Sequence, residues 1–163
     1  QLTAEESLAR VITPDFWAFF RHAFVQDEEW AEALLARLVE RQGEGSPASR
    51  RFVLDRATAP GAVRWLEHHE LRLGDLMRDP ADRDHPLALV PLILQRGGHD
   101  EFAPGDDTLL RAGDELVVAG HDAATDALEQ TLTHTATVEY VATGDIVPTT
   151  WLFRRLSPRV EDV

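Results

Sequence analysis

The stretch LVPLILQRGGHDEF, residues 89–102, decides how the rest of the chain reads. Its first six residues belong to an apolar run, residues 87–94, that has the length of a buried strand and is interrupted by Pro91. Gly97 and Gly98 mark a turn, and the DEFA that ends at residue 103 reads as the return of a hairpin with a polar tip. Two strands closed by a glycine turn are antiparallel neighbours, and the flanking segments have to be fitted to that unit.

Downstream, PGDDTLLRAGDELVVAG (residues 104–120) holds a loop, a leucine pair, the turn Ala112-Gly113-Asp114 and an apolar strand over 116–119. An aspartate suits that turn because its carboxylate can bond the turn's own backbone. DAATDALEQTLT (122–133) reads as a helix capped by Asp122; TATVEYVATG (135–144) and PTTWLFRRL (148–156) are ambiguous between strand and helix, with helix favoured. Upstream, RFVLD (51–55) reads as a short strand, APGAVRWLEHHE (59–70) as a helix starting near Pro60, and LRLGDLM (71–77) as an extended piece entering a helical turn.

The first forty residues read as helix. Thr3 with Glu6 has capping-box spacing, and Thr13-Pro14 sets a hydroxyl ahead of a proline at the first helical position. Phe16, Phe19, Phe20 and Phe24 recur at helical spacing, broadened by Trp17, and a second helix over residues 27–41 carries Trp30, Leu34, Leu35 and Leu38 on one side. GEGSPAS (43–49) is the strongest internal boundary. The chain therefore divides into a helical segment with linker (1–49), a short strand–helix connection (50–70) and an α+β domain with a C-terminal helical tail (71–163). The fold class expected is α+β: an N-terminal helical segment plus a small mixed or antiparallel sheet flanked by helices, assembled as a dimer.

Composition narrows the function. With 163 residues and 44% hydrophobic content the chain can bury one core with an appendage. No window approaches the length of uninterrupted apolar sequence that spans a bilayer. It begins at Gln1 without a signal-peptide pattern, which fits a piece of a longer cytoplasmic protein. A formal net charge of -13 disfavours nucleic acid as a partner. The absence of cysteine excludes disulfides, thiol nucleophiles and Cys-ligated metals. All sixteen basic residues are arginine, as codon bias in a GC-rich genome would produce.

Several chemical readings compete. Without His99 the hairpin would spell GGDEF, the signature that diguanylate cyclases resemble one another by. A metal-holding turn of that kind needs its carboxylates at fixed offsets from the glycines; His99 displaces them, and no upstream aspartate at a strand end pairs with them. A nucleotide-cyclising enzyme is accordingly the least favoured reading. The clusters HHE (68–70), HDE (99–101), DD (106–107) and HD (121–122) could ligate a divalent cation, calcium or magnesium before zinc, but none has a recognised ligand spacing. Neither a GxSxG elbow nor a complete GxGxxG turn is present. The metal and the cofactor, if any, stay unidentified on these grounds, and the chain reads as a non-enzyme.

Residues 89–120 as a whole resemble the C-terminal subdomain of the RCK (regulator of potassium conductance) or TrkA family. That pattern runs through an apolar strand ending in arginine (Arg96), a glycine hairpin (Gly97-Gly98), a proline (Pro104), a polar pair before a leucine (Asp106-Asp107, Leu109) and AGDELVVAG (112–120), its most specific part. LGDLMR (73–78) is similar to the family's short helix before the first strand, and VEYVATGDIVPTTWLFRR (138–155) to the tail of large bacterial potassium-channel-like proteins.

The resemblance implies a cytosolic ligand-sensing or gating domain of a potassium channel or potassium transport protein. Such a domain works as a homodimer or higher gating ring, attached to a membrane pore on the cytoplasmic face of the cell membrane. It implies a small effector, a cyclic dinucleotide or a divalent cation; in some relatives cyclic di-AMP is bound by positions that match Met77, Arg78 and Pro104 here. The nucleotide-binding half that precedes this subdomain in the family is missing or reduced to residues 50–66. The alternative reading is a ligand-free oligomerisation module of a membrane transporter, built on the aromatic stripe around Phe20. For Arg78, a surface arginine paired with Asp75 or Asp79 is the plainer alternative, and for Pro104 a rigid loop.

Overall fold

The computed structural model describes residues 48–145. Four strands, β1 (Ala48–Val53), β2 (Leu89–Arg96), β3 (His99–Phe102) and β4 (Glu115–Gly120), form one antiparallel sheet in the order β1-β4-β2-β3. Four helices accompany it: α1 (Pro60–Leu66), α2 (Leu73–Leu76), α3 (Asp122–Thr133) and α4 (Thr135–Thr143). The class is α+β, with the sheet wholly antiparallel. The aromatic stripe over 16–24, the helix over 27–41 and the tail over 148–156 lie outside the described residues.

The opening hairpin closes with two residues. Arg96 pairs with His99, and Gly97 and Gly98 take φ values of 55° and 81°, the positive pair that a type I′ turn requires and that glycine accepts without strain. His99 is thus the first residue of the return strand, exposed to solvent together with Asp100 and Glu101.

Pro91 sits inside a strand that has neighbours on both sides, where a missing N–H would break the ladder. A bulge resolves this. Pro91 pairs with Val118 and Ile93 with Val117, leaving Leu92 as the extra residue between them. The insertion resets the alternation, so Leu89 and Leu94 face one side while Val90 and Ile93 face the other.

The first side carries the main core. Phe52, Leu89, Leu94, Leu116 and Val118 from the strands meet Ala62 and Trp65 of α1, Leu73 and Leu76 of α2, Leu128 and Leu132 of α3 and Val138 of α4. The second side gathers Val90, Leu92, Ile93, Val117 and Ala119, with Phe102 and Ala103 packed against them. At its other end that face turns polar, where Arg51 bonds Glu115 and Gln95 bridges from Arg51 to Asp100.

All of α1 and all but the first two residues of β1 fall within residues 50–70, yet Phe52, Leu54, Ala59, Ala62 and Trp65 share the core with Leu71, Leu73 and Leu87. The strand–helix connection therefore supplies an outer strand and a covering helix to the same core as the residues after 71. One local expectation is corrected: His121, not Asp122, occupies the N-cap of α3, and no side chain caps it. Asp122 is the first helical residue, where its negative charge complements the helix dipole.

Gly61 in α1 faces the junction of α3 and α4 so closely that a Cβ would lie 2.6 Å from the backbone N and C of His134. On helix propensity alone Gly61→Ala should stabilise by up to about 1 kcal/mol. Here the contact is backbone and cannot yield, so the sign reverses: urea denaturation should show a loss of about 1–3 kcal/mol, the range typical of overpacking.

Candidate functional site

The end of the sheet that bears the hairpin is organised by one buried carboxylate. Asp114, 1% exposed, accepts hydrogen bonds from Arg96 Nε at 2.8 Å and Nη2 at 2.6 Å and from the backbone N–H of Arg111 at 2.7 Å. Arg96 Nη2 also donates to the carbonyl of Leu109 at 2.7 Å. The hydrogen bond to Asp114 raises the Arg96 pKa above its ordinary value, so the guanidinium is a permanent cation.

The loop that carries Asp114 is fastened on both sides. Leu54 N–H donates to the Asp114 carbonyl and Gly113 N–H to the Leu54 carbonyl, both at 2.8 Å, with Gly113 at φ 90°. Toward α2, the N–H of Leu110 bonds Leu71, that of Leu73 bonds Thr108, and that of Gly74 bonds Asp106, each at 2.9 Å.

Between this loop and the C-terminal end of α1 lies an open groove of about 660 Å³. Its floor is apolar, formed by Leu54, Val63, Leu66, Leu109 and Leu110. Leu109 is 40% exposed, the one large hydrophobic so exposed among the described residues. The rim is charged: Arg56 pairs with Glu67 at 2.9 Å, and Asp55, Glu70 and Arg111 complete it. His69 lies stacked on Trp65 with ring centroids 4.1 Å apart, and the Trp65 indole N–H donates to the Glu70 carbonyl at 3.1 Å. Volume and lining suit the binding of a small molecule or a side-chain anchor. The lining contains no hydroxyl or thiol group.

Asp55 shapes the entry to α1. One carboxylate oxygen accepts from the N–H groups of Ala57 and Thr58, both at 2.8 Å, and from Thr58 Oγ1 at 2.9 Å. The Thr58 backbone bond, followed by its hydroxyl bond, lowers the Asp55 pKa from 3.8.

The residues singled out by the family resemblance are dispersed around a different edge. Met77, 3% exposed, ends α2 and belongs to the core. Arg78 is part-exposed; its Nη1 donates to the Arg83 carbonyl at 3.1 Å, while its buried Nε has no hydrogen-bond partner and stands 3.6 Å from Asp75. Pro104 is buried and follows Ala103, which has a φ of 47°. None of the three lines the groove.

Among the described residues no three His, Asp or Glu side chains converge on a point that could hold a metal ion. The acidic pairs are otherwise engaged, Asp107 with Arg72 at 2.7 Å and Asp100 with Gln95 at 2.9 Å. Among the described residues no helix is long and apolar enough to cross a membrane.

The groove was not legible as a site in the sequence, because its walls come from residues far apart in the chain. Two signals pointed to its parts: the DRAT turn at 55–58, and a leucine pair at 109–110 of which only one member can face the core. A scan of the chain against protein-family models finds no match, and a search of curated proteins finds no similar sequence.

Two measurements follow from these contacts. Asp114→Ala removes the acceptor of a charge-assisted bidentate pair and strands the Arg111 N–H, so urea denaturation should show a loss of about 2–4 kcal/mol. Asp55, whose folded pKa is lowered, stabilises the fold above the unfolded carboxyl value and loses that contribution as pH falls through its own lower value. Carboxyl-carbon NMR should therefore place the Asp55 midpoint below 3.8. Asp55→Ala should flatten the acid limb of the thermal-stability profile.

Proposed function

We propose that this chain is an RCK or TrkA C-terminal-type regulatory domain of a bacterial potassium channel or potassium transport protein. In this reading it works as a dimer or gating ring on the cytoplasmic face of the membrane, converting the binding of a small effector into a change of subunit geometry. It has no catalytic role of its own.

The observation that carries the reading is that the motif positions behind the resemblance act as one mechanical unit. Arg96 ends β2 and clamps Asp114; Gly97 and Gly98 close the hairpin; the Asp106 carbonyl receives the Gly74 N–H; Gly113 turns the chain into β4. The reading is supported by these positions sharing one hydrogen-bonded end of the sheet. Support for a sensing role comes from Arg78, whose part-exposed guanidinium is held by one carbonyl and by a 3.6 Å ion pair with Asp75, contacts that an anionic ligand could compete with. One observation favours the alternative, a ligand-free assembly module: Met77 is closed into the core and offers no side-chain surface to an effector.

Calorimetric titration of the full chain with cyclic di-AMP, calcium, magnesium and ATP separates the two. The sensing role is expected to give saturable heat with one of them, weakened at least about tenfold by Arg78→Ala if the effector is anionic, since a charge-assisted pair is worth roughly that much. An effector bound more tightly by one subunit arrangement supplies typically about 1–3 kcal/mol of coupling, visible as a shift in dimer dissociation by light scattering. A dimer that takes up none of the four supports assembly alone. Turnover of GTP in the presence of magnesium would overturn both.

A further inference from the structure

The loop between α2 and β2, residues 78–86, is small and internally bonded. Asp79 N–H bonds the His85 carbonyl at 2.9 Å, His85 N–H the Asp82 carbonyl at 3.0 Å, and Ala81 N–H the Asp79 carboxylate at 2.8 Å. A bridge between Arg78 and Pro86 closes its base.

Its two arginines face different parts of the molecule. Arg83 reaches across to the last described helix, where Nε donates to the Val141 carbonyl at 3.0 Å and Nη2 to the Ala142 carbonyl at 3.2 Å. These are carbonyls in the final turn of α4, left without intrahelical partners, and a cation there also meets the negative end of the helix dipole. Gly144 ends the helix in the left-handed conformation, φ 87°, with its N–H on Tyr140 at 2.8 Å; a Cβ on it would lie 3.5 Å from the Arg83 guanidinium carbon. Arg83 thus holds the point at which the chain leaves α4.

Arg78 holds Arg83. Its Nη1 donates to the Arg83 backbone carbonyl at 3.1 Å, and its buried Nε makes no hydrogen bond but stands 3.6 Å from the Asp75 carboxylate. Arg78 is thus held by one hydrogen bond and one loose ion pair, which a closer, charge-assisted partner would outcompete.

We propose that Arg78 and Arg83 form a two-arginine relay that couples the surface around Arg78 to the C-terminal end of α4. An anion at Arg78, phosphate or carboxylate, draws the guanidinium into a bidentate pair and away from the Arg83 carbonyl. The 78–86 loop then loosens, Arg83 loses its registry with residues 141 and 142, and the end of α4 is released. The inference rests on the proposed function only in taking Arg78 as the residue an effector touches; Arg83 is a positioning residue in it.

Amide hydrogen exchange on the full chain reads the relay without any ligand. Arg83→Ala should speed exchange at residues 141–144 by about tenfold, as loss of a charge-assisted cap allows local opening. Arg78→Ala, which touches neither carbonyl, should speed the same amides by about threefold or more, and Arg78→Lys, which keeps stem and charge, should do so to a smaller extent. Added to Arg83→Ala, the Arg78 change should have no further effect there. Amides of β4 should keep their wild-type rates in every variant, which separates local release from global destabilisation. If both Arg78 variants leave residues 141–144 at the wild-type rate while Arg83→Ala accelerates them, the relay is overturned; it is equally overturned if Arg83→Ala changes nothing. Neither outcome depends on calorimetry, so failure of the relay and failure of the sensing role are told apart.

Discussion

A carboxylate that is 1% exposed must be answered, and in this fold the answer is Arg96. Burying an unpaired Asp114 would cost several kcal/mol, so the pair constrains every segment that touches it. It fixes the end of β2 relative to the turn before β4, and through the Leu109 carbonyl it fixes the loop that forms one wall of the groove. Through Leu54, which exchanges two backbone bonds with residues 113 and 114, it also sets where β1 stops. The apolar core supplies the bulk of the stabilisation, but it is non-directional. The ion pair makes this end of the sheet adopt one arrangement.

The parts of the fold that were legible in the sequence were those governed by local chemistry. Gly97 and Gly98 announced a hairpin because a glycine pair accepts the positive φ values that the tight primed turns require. Asp114 announced its turn because a carboxylate three residues from an N–H can bond it, as it does with Arg111 at 2.7 Å. Pro60 marked the start of α1 for the same kind of reason. What depended on neighbours distant in the chain was not legible. The bulge at Leu92 reverses the facing of β2 midway, and Pro91 points to it only once β2 is known to have a neighbour on each side, which the sequence does not show. Asp122 looked like a cap because aspartate caps well in isolation, but the chain turns into α3 one residue earlier. That Arg96 would find Asp114, or that β1 would pair with β4, required the tertiary arrangement itself.

The same distinction applies to the candidate sites. Arg78 is visible in the sequence as a basic residue at the end of a short helix, and its partial exposure keeps it available as a contact. Met77, adjacent in sequence, points the other way into the core, since successive residues at the end of a helix cannot share a face. The groove carries a stronger geometric case for binding than either, with an apolar floor, an exposed leucine and charges confined to the rim. Its charged groups are mostly committed to structure, Asp55 to the α1 turn and Arg56 to Glu67, which leaves shape and apolar area as its main means of recognition.

The contacts divide the described residues into a part that is locked on several sides and a part that is held by fewer bonds. The hairpin end is locked by a bidentate pair, three backbone bonds to α2 and its flank, and two to Leu54; moving it breaks all of them together. The side chains of the 78–86 loop anchor it outwardly through Arg83 to the carbonyls of Val141 and Ala142 and through a loose 3.6 Å pair between Arg78 and Asp75. Segments that move in allostery come from the low-stability end of a structure, where small differences in ligand affinity can shift a population. If the proposed relay operates, its motion would be confined to the arginine loop and the end of α4, pivoting on a sheet whose far end is fixed by the Asp114–Arg96 pair.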